Sequence, residues 1–149
     1  MGVNETALSL LNSAQNQAVR QRNDRQMKVD ICAIERNEAK AAHDHALTVI
    51  ERCEFDVGRT RRTHTDYAKY LRESPEQTNS ALQATLADLS RKVENALARL
   101  EVAKSQAADK KEILDEAERL LSFQTAQLNK AIEDHRGVLR EMERLNQST

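Results

Sequence analysis

The amino-acid sequence predicts an all-α protein, a long antiparallel two-helix coiled-coil hairpin that forms a single unit over residues 1–149. Three observations lead to this prediction. Only three Gly and one Pro occur among 149 residues, and the abundant residues Ala, Leu, Glu, Lys, Arg and Gln are the ones that favour helix. Apolar residues recur at heptad spacing, especially in the second half of the chain. Pro75 lies at the midpoint and divides the chain into two arms of nearly equal length.

The first arm, about residues 5–73, has a heptad seam that polar residues often interrupt. Counting in sevens gives two sets of seam residues. Position a holds Leu8, Gln15, Arg22, Val29, Arg36, His43, Ile50, Val57, His64 and Leu71. Position d holds Leu11, Ala18, Arg25, Cys32, Ala39, Ala46, Cys53, Thr60 and Tyr67. We therefore expect a helix whose packing is weaker than its length suggests.

Two features of this arm lead to local expectations. Cys32 and Cys53 lie 21 residues apart, about 30 Å along one helix, so we expect reduced seam residues rather than a disulfide or a metal site. Gly58 costs about 1 kcal/mol relative to Ala inside a helix, and a bend is an option at this point.

The turn is predicted from the segment Ser74-Pro75-Glu76-Gln77. Ser is a good N-cap, Pro fits the first helical position, and Gln three residues after the cap completes a capping box. The residue before Pro is also disfavoured in a helix. We therefore expect the first arm to end, and the second to begin, at Ser74.

The second arm, about residues 75–146, has a stronger heptad pattern. Position a holds Leu86, Val93, Leu100, Ala107, Leu114, Leu121, Leu128, His135 and Met142. Position d holds Leu82, Leu89, Ala96, Ala103, Lys110, Ala117, Gln124, Ala131, Val138 and Leu145. Large and small apolar residues dominate both sets, which is typical of a packed coiled-coil seam.

The two arms match poorly near the chain termini. Straight arms that turn at Ser74 place Leu121 opposite Met27 and Leu128 opposite Arg20, in a cationic, mostly polar segment. The second arm adds apolar residues outside its seam there, and such an excess favours a partner. The predicted partner-binding residues are Arg20, Arg22, Arg25, Lys28, Phe123, Ile132 and Leu139. A frayed, solvated end of the hairpin is the alternative.

Composition and motifs argue against several classes of function. The formal net charge is −1, so there is no concentrated cationic surface for nucleic acid. No apolar run approaches the roughly 20 residues that span a bilayer, and the first residues do not resemble a secretory signal. Motifs for phosphate binding, nucleophilic catalysis or metal ligation are missing from the sequence. We therefore expect an intracellular protein without membrane insertion, enzymatic activity, cofactor or metal.

With its midpoint turn at Ser74-Pro75-Glu76-Gln77 and heptads such as Leu86, Val93 and Leu100, the chain resembles the stalk proteins of type III secretion systems. This is the FliJ, YscO and HrpO group. The resemblance implies a cytoplasmic, non-enzymatic coiled-coil stalk or adaptor. It also implies binding to the export ATPase, its stator-like regulator, the export gate and chaperones, with the end that bears both termini entering the ATPase ring.

Two further functions remain as alternatives. One is a structural coiled coil that forms a helical bundle between copies of the chain, which would make the protein a homo-oligomer. The other is an RNA-binding hairpin that uses Arg59, Arg61 and Arg62, which the balanced overall charge disfavours.

Overall fold

A computed structural model describes residues 2–76 and 78–148, and these residues form two long α-helices. Helix α1 spans Val3–Glu73 and helix α2 spans Ser80–Gln147. The described residues contain no strand, no cis peptide bond and no residue with a positive φ. The two helices pack against each other, so the predicted all-α helical hairpin is confirmed.

The predicted seam agrees closely with the burial of the side chains. In α1, every predicted a and d position is buried or half-buried except Arg22. In α2, the same holds for every position except Lys110. Heptad spacing therefore identifies the contact face of each helix even where the residue at a seam position is polar.

The turn differs from the prediction, because α2 begins at Ser80 rather than at Pro75. The side-chain Oδ1 of Asn79 accepts hydrogen bonds from the backbone N–H groups of Ala81 at 2.8 Å and Leu82 at 3.4 Å. Asn79 is therefore the N-cap of α2. The predicted capping-box residue Gln77 lies outside the described residues.

Ser74 stabilises the turn instead of the helix. Its hydroxyl accepts a hydrogen bond from the N–H of Glu76 at 3.1 Å, which forms a local side-chain turn around Pro75. Its own N–H donates to the carbonyl of Leu71 at 3.3 Å, and the N–H of Asn79 donates to the carbonyl of Glu76 at 2.8 Å. Pro75 fits such a turn as well as it fits a first helical position, which explains why the predicted start was wrong.

The chain divides into two compact units, each built from both helices. Unit 1 comprises Met1–Ala39 and Leu114–Thr149, and unit 2 comprises Lys40–Ile113. In unit 2, Val57, Ala96 and Leu100 form a buried cluster against which Ile50, Cys53 and Leu97 pack. In unit 1, the buried residues are Ala18, Ala39, Leu114, Leu128 and Ala131.

The pairing of the helices in unit 1 also differs from the prediction. A guanidinium nitrogen of Arg22 lies 3.5 Å from Nδ1 of His135, and Arg25 lines an open groove with Lys130 and Asp134. The expected pairing of Arg20 with Leu128 would have placed Arg22 and Arg25 opposite positions nearer the N-terminal end of α2. The later start of α2 at Ser80 accounts for part of this shift of the facing positions towards the C-terminal end of α2.

Gly58 and the two cysteines have simple environments. Helix α1 continues without interruption through Gly58, where an added Cβ would meet no atom within 4 Å. Cys32 and Cys53 are free thiols and both are half-buried, as predicted.

Candidate protein-interaction surface

Two large apolar side chains of α2 in unit 1 are exposed next to each other. Leu120 is 44% exposed and Phe123 is 56% exposed. They are three residues apart in sequence, so they are neighbours on one face of α2. The side chain of Phe123, one of the predicted partner-binding residues, is therefore accessible to another protein.

The structure places Ile132 and Leu139 on a different side of α2. Ile132 is half-buried, and Leu139 is 41% exposed. Ile132 follows Phe123 by nine residues, which corresponds to a rotation of about 180° around the helix. The three predicted apolar residues thus do not form one patch: Phe123 lies on one flank, and Ile132 and Leu139 share the other.

The four predicted cationic residues have separate environments. Lys28 forms an ion pair with Asp24 at 3.3 Å, and both side chains are about half exposed. Arg22 contacts His135 on the seam, while Arg25 is half-buried in the groove that Asp24 and Asp134 also line. Arg20 is exposed and forms no ion pair among the described residues. These side chains do not converge on one basic surface.

A second group of exposed apolar residues lies on α1 and was not predicted. Met27, Ile31 and Ile34 are 60%, 48% and 58% exposed. Their spacing of four and three residues places them along one line of the helix. The signal was present in the sequence, but counting apolar residues only at a and d positions does not register an apolar line on the outer side of the helix.

The seam of unit 1 contains buried polar atoms that have no hydrogen-bond partner within the part of the chain that the structure describes. These atoms are Nε of Arg36, Oε1 of Gln124 and Nε2 of His135. An unpartnered polar atom away from water opposes folding by about 1–3 kcal/mol. Each of these atoms therefore weakens the packing of α1 against α2 in unit 1.

The surface of the described residues carries grooves along the helix pair. One of these is the open groove that His64, Ala68, Leu71 and Leu86 line in unit 2. Within residues 2–76 and 78–148 there is no group of three or more His, Cys, Asp or Glu side chains that could hold a metal ion. Neither helix contains, in its described residues, an apolar stretch long enough to cross a membrane.

Comparisons with known proteins add no relative: no protein-family model, no curated protein and no solved structure matches this chain.

Proposed function

We propose that this protein is a non-enzymatic coiled-coil adaptor that binds another protein through α2 of unit 1. The observation that supports this proposal most directly is the exposure of Phe123, which is 56%, beside Leu120, which is 44%. Exposed phenylalanine is a common anchor in protein interfaces, because its ring buries a large apolar area with little loss of side-chain freedom.

The seam of unit 1 adds a second argument for a partner. Its buried unpartnered atoms on Arg36, Gln124 and His135 lower the stability that α1 and α2 gain from each other. A protein that binds only the paired helices would raise the stability of unit 1, because binding to the folded state alone shifts the equilibrium towards it.

The resemblance to type III secretion stalk proteins identifies the partner to test first. In this proposal the chain acts in the cytoplasm and binds the export ATPase, and the stator-like regulator, the export gate and chaperones are further partners. Unit 1 contains the first part of α1 and the last part of α2, and the resemblance implies the ATPase contact for these parts of the two helices.

The experiment measures binding to the hexameric export ATPase from the same organism. Purified full-length chain is titrated into the ATPase, and affinity and ATP turnover are followed together. We expect Phe123→Asp to weaken binding about tenfold or more, because a charge replaces an apolar anchor. The matched control is Val102→Asp on α2 of unit 2, where the valine is 57% exposed, and this variant should bind as the wild type does.

Two results would contradict the adaptor proposal. One is the absence of any complex between the wild-type chain and the ATPase. The other is equal affinity of the Phe123→Asp and Val102→Asp variants, which would show that Phe123 is not part of the interface.

A self-associating structural coiled coil is the second candidate function. Exposure of Met27, Ile31 and Ile34 on α1 favours it, because a bundle between copies would cover such a line. If Ile31→Asp abolishes a stable oligomer of the wild-type chain, and no ATPase complex forms, this candidate replaces the adaptor.

A further inference from the structure

The outer side of α1 in unit 1 carries an apolar line with an acid at each end. We name it the acidic-apolar face and define it by Asp24, Met27, Ile31, Ile34 and Glu38. Its three apolar side chains are about half exposed, and Glu38 is exposed with no ion pair among the described residues. Among the described residues, Asp24 has only the exposed Lys28 as an ion-pair partner, at 3.3 Å. Exposed ion pairs of this kind contribute little and exchange readily.

The outer side of α1 in unit 2 has the opposite charge. We name it the arginine face and define it by Arg52, Phe55, Arg59 and Arg62. Phe55 is 70% exposed. Arg59 is 66% exposed and has one ion-pair partner, Asp56, at 3.5 Å. Arg52 and Arg62 are exposed and make no ion pair within the part of the chain that the structure describes.

The two faces have matching residue spacing. Asp24, Met27, Ile31 and Ile34 follow one another at intervals of three, four and three residues. The arginine face, counted backwards from Arg62, has the same intervals. Each set spans about 80° of its helix at 100° per residue. Two such helix segments in antiparallel orientation can therefore place all four positions opposite one another.

We propose that the acidic-apolar face binds the arginine face of a second copy of this chain. In this register Asp24 lies opposite Arg62 and Ile31 lies opposite Phe55. The aliphatic stems of Arg59 and Arg52 cover Met27 and Ile34, while their guanidinium groups remain at the solvent. The contact combines a charge-assisted ion pair with an apolar centre.

Charge and spacing together favour a second copy as the occupant. A purely apolar partner would leave Glu38 without an opposite charge and Asp24 with the exposed Lys28 alone, whereas the arginine face places Arg62 opposite Asp24 and Arg52 one helical turn from Glu38. Every copy carries both faces, so each contact removes from water the apolar line of one chain and the exposed Phe55 of the other. This contact involves α1 alone and goes beyond the proposed adaptor function, which uses α2.

The test uses two charge reversals in full-length chains, Asp24→Arg and Arg62→Asp. We expect the wild type to associate, with a light-scattering mass that rises with concentration from 16.9 kDa towards twice that value. Each single variant places like charges opposite each other, so its association constant should fall about tenfold or more. An equimolar mixture of the two variants restores opposite charges at each contact, and its association should return towards the wild-type value.

The matched control is Arg61→Asp, which makes the same change of charge one residue away, about 100° around the helix, and should leave association unchanged. Circular dichroism of each variant confirms that the helices are intact. A wild type that remains monomeric at every concentration would overturn the proposal, as would a mixture no more associated than the separate variants. Both variants keep Phe123, so binding to the export ATPase is measured independently of this result.

Discussion

Unit 1 and unit 2 are built from the same two helices with the same heptad spacing, yet their seams differ in chemistry. Unit 2 contains the buried cluster of Val57, Ala96 and Leu100. In unit 1, a guanidinium group reaches the His135 ring, and buried polar atoms of three residues have no partner among residues 2–76 and 78–148. The spacing determines which faces meet, whereas the chemistry of the seam determines how strongly they hold each other.

The outer surfaces of the two units also differ, in how their exposed apolar side chains are grouped. Unit 1 exposes apolar side chains in groups, on α1 around Ile31 and on α2 around Phe123. The exposed apolar residues of unit 2, such as Phe55 and Val102, are separated along the chain. A weak seam beneath a clustered apolar surface is typical of a region that gains stability from association.

The largest expected effect comes from removing the centre of the better seam. Leu100 is 8% exposed within the unit 2 cluster, so Leu100→Ala should lower the free energy of unfolding by about 2–5 kcal/mol through lost burial and a residual cavity. Urea unfolding followed by circular dichroism at the helical band measures it. Val102→Ala, two residues away and mostly exposed, is the control. If the two variants lost equal free energy of unfolding, burial in the seam would not explain the contribution of Leu100 to stability.

An increase in stability is expected in unit 1. Gln124→Leu removes a buried carbonyl oxygen that has no partner, and we expect unit 1 to gain about 1 kcal/mol. Hydrogen exchange of the backbone amides in unit 1 measures this gain locally, because it reports the opening of individual regions. Gln17→Leu, at an exposed position of the same unit, should leave the exchange rates nearly unchanged. If neither variant exchanges more slowly than the wild type, the polar seam is not what weakens unit 1.

A smaller effect tests the turn that closes unit 2. Asn79→Ala removes the two hydrogen bonds that cap α2 and should lower the free energy of unfolding by about 1 kcal/mol. Ser74→Ala should lower it by under about 0.5 kcal/mol, since only a surface turn contact is lost. Both are measured by thermal unfolding. If Ser74→Ala proved the more damaging change, the sequence-based placement of the cap would be right after all.

The heptad pattern predicted the fold and the contact faces because burial at every third or fourth residue is a strong and repeated signal. The position of the cap was harder to predict. Ser74 and Asn79 are both good N-cap residues, and Pro75 suits either a first helical turn or a tight turn. Local sequence does not decide between them.

The candidate surface was predicted only in part, for a related reason. Phe123 and Leu139 were recognised as apolar residues outside the seam, but the assumed pairing of the arms was wrong, in part because α2 starts later than predicted. The separate environments of Arg22, Arg25 and Lys28 depend on that pairing. Met27, Ile31 and Ile34 were missed because an outer apolar line does not contribute to a two-helix seam.

The positions of the two cysteines have a practical consequence. Cys32 belongs to unit 1 and Cys53 to unit 2, and each is a half-buried free thiol on the seam of α1. A half-buried thiol reacts with a disulfide reagent fastest when its surroundings open. Each unit thus contains one natural thiol whose labelling rate reports how often that unit opens. The two labelling rates of the wild-type protein can be followed separately by mass spectrometry while partners are added.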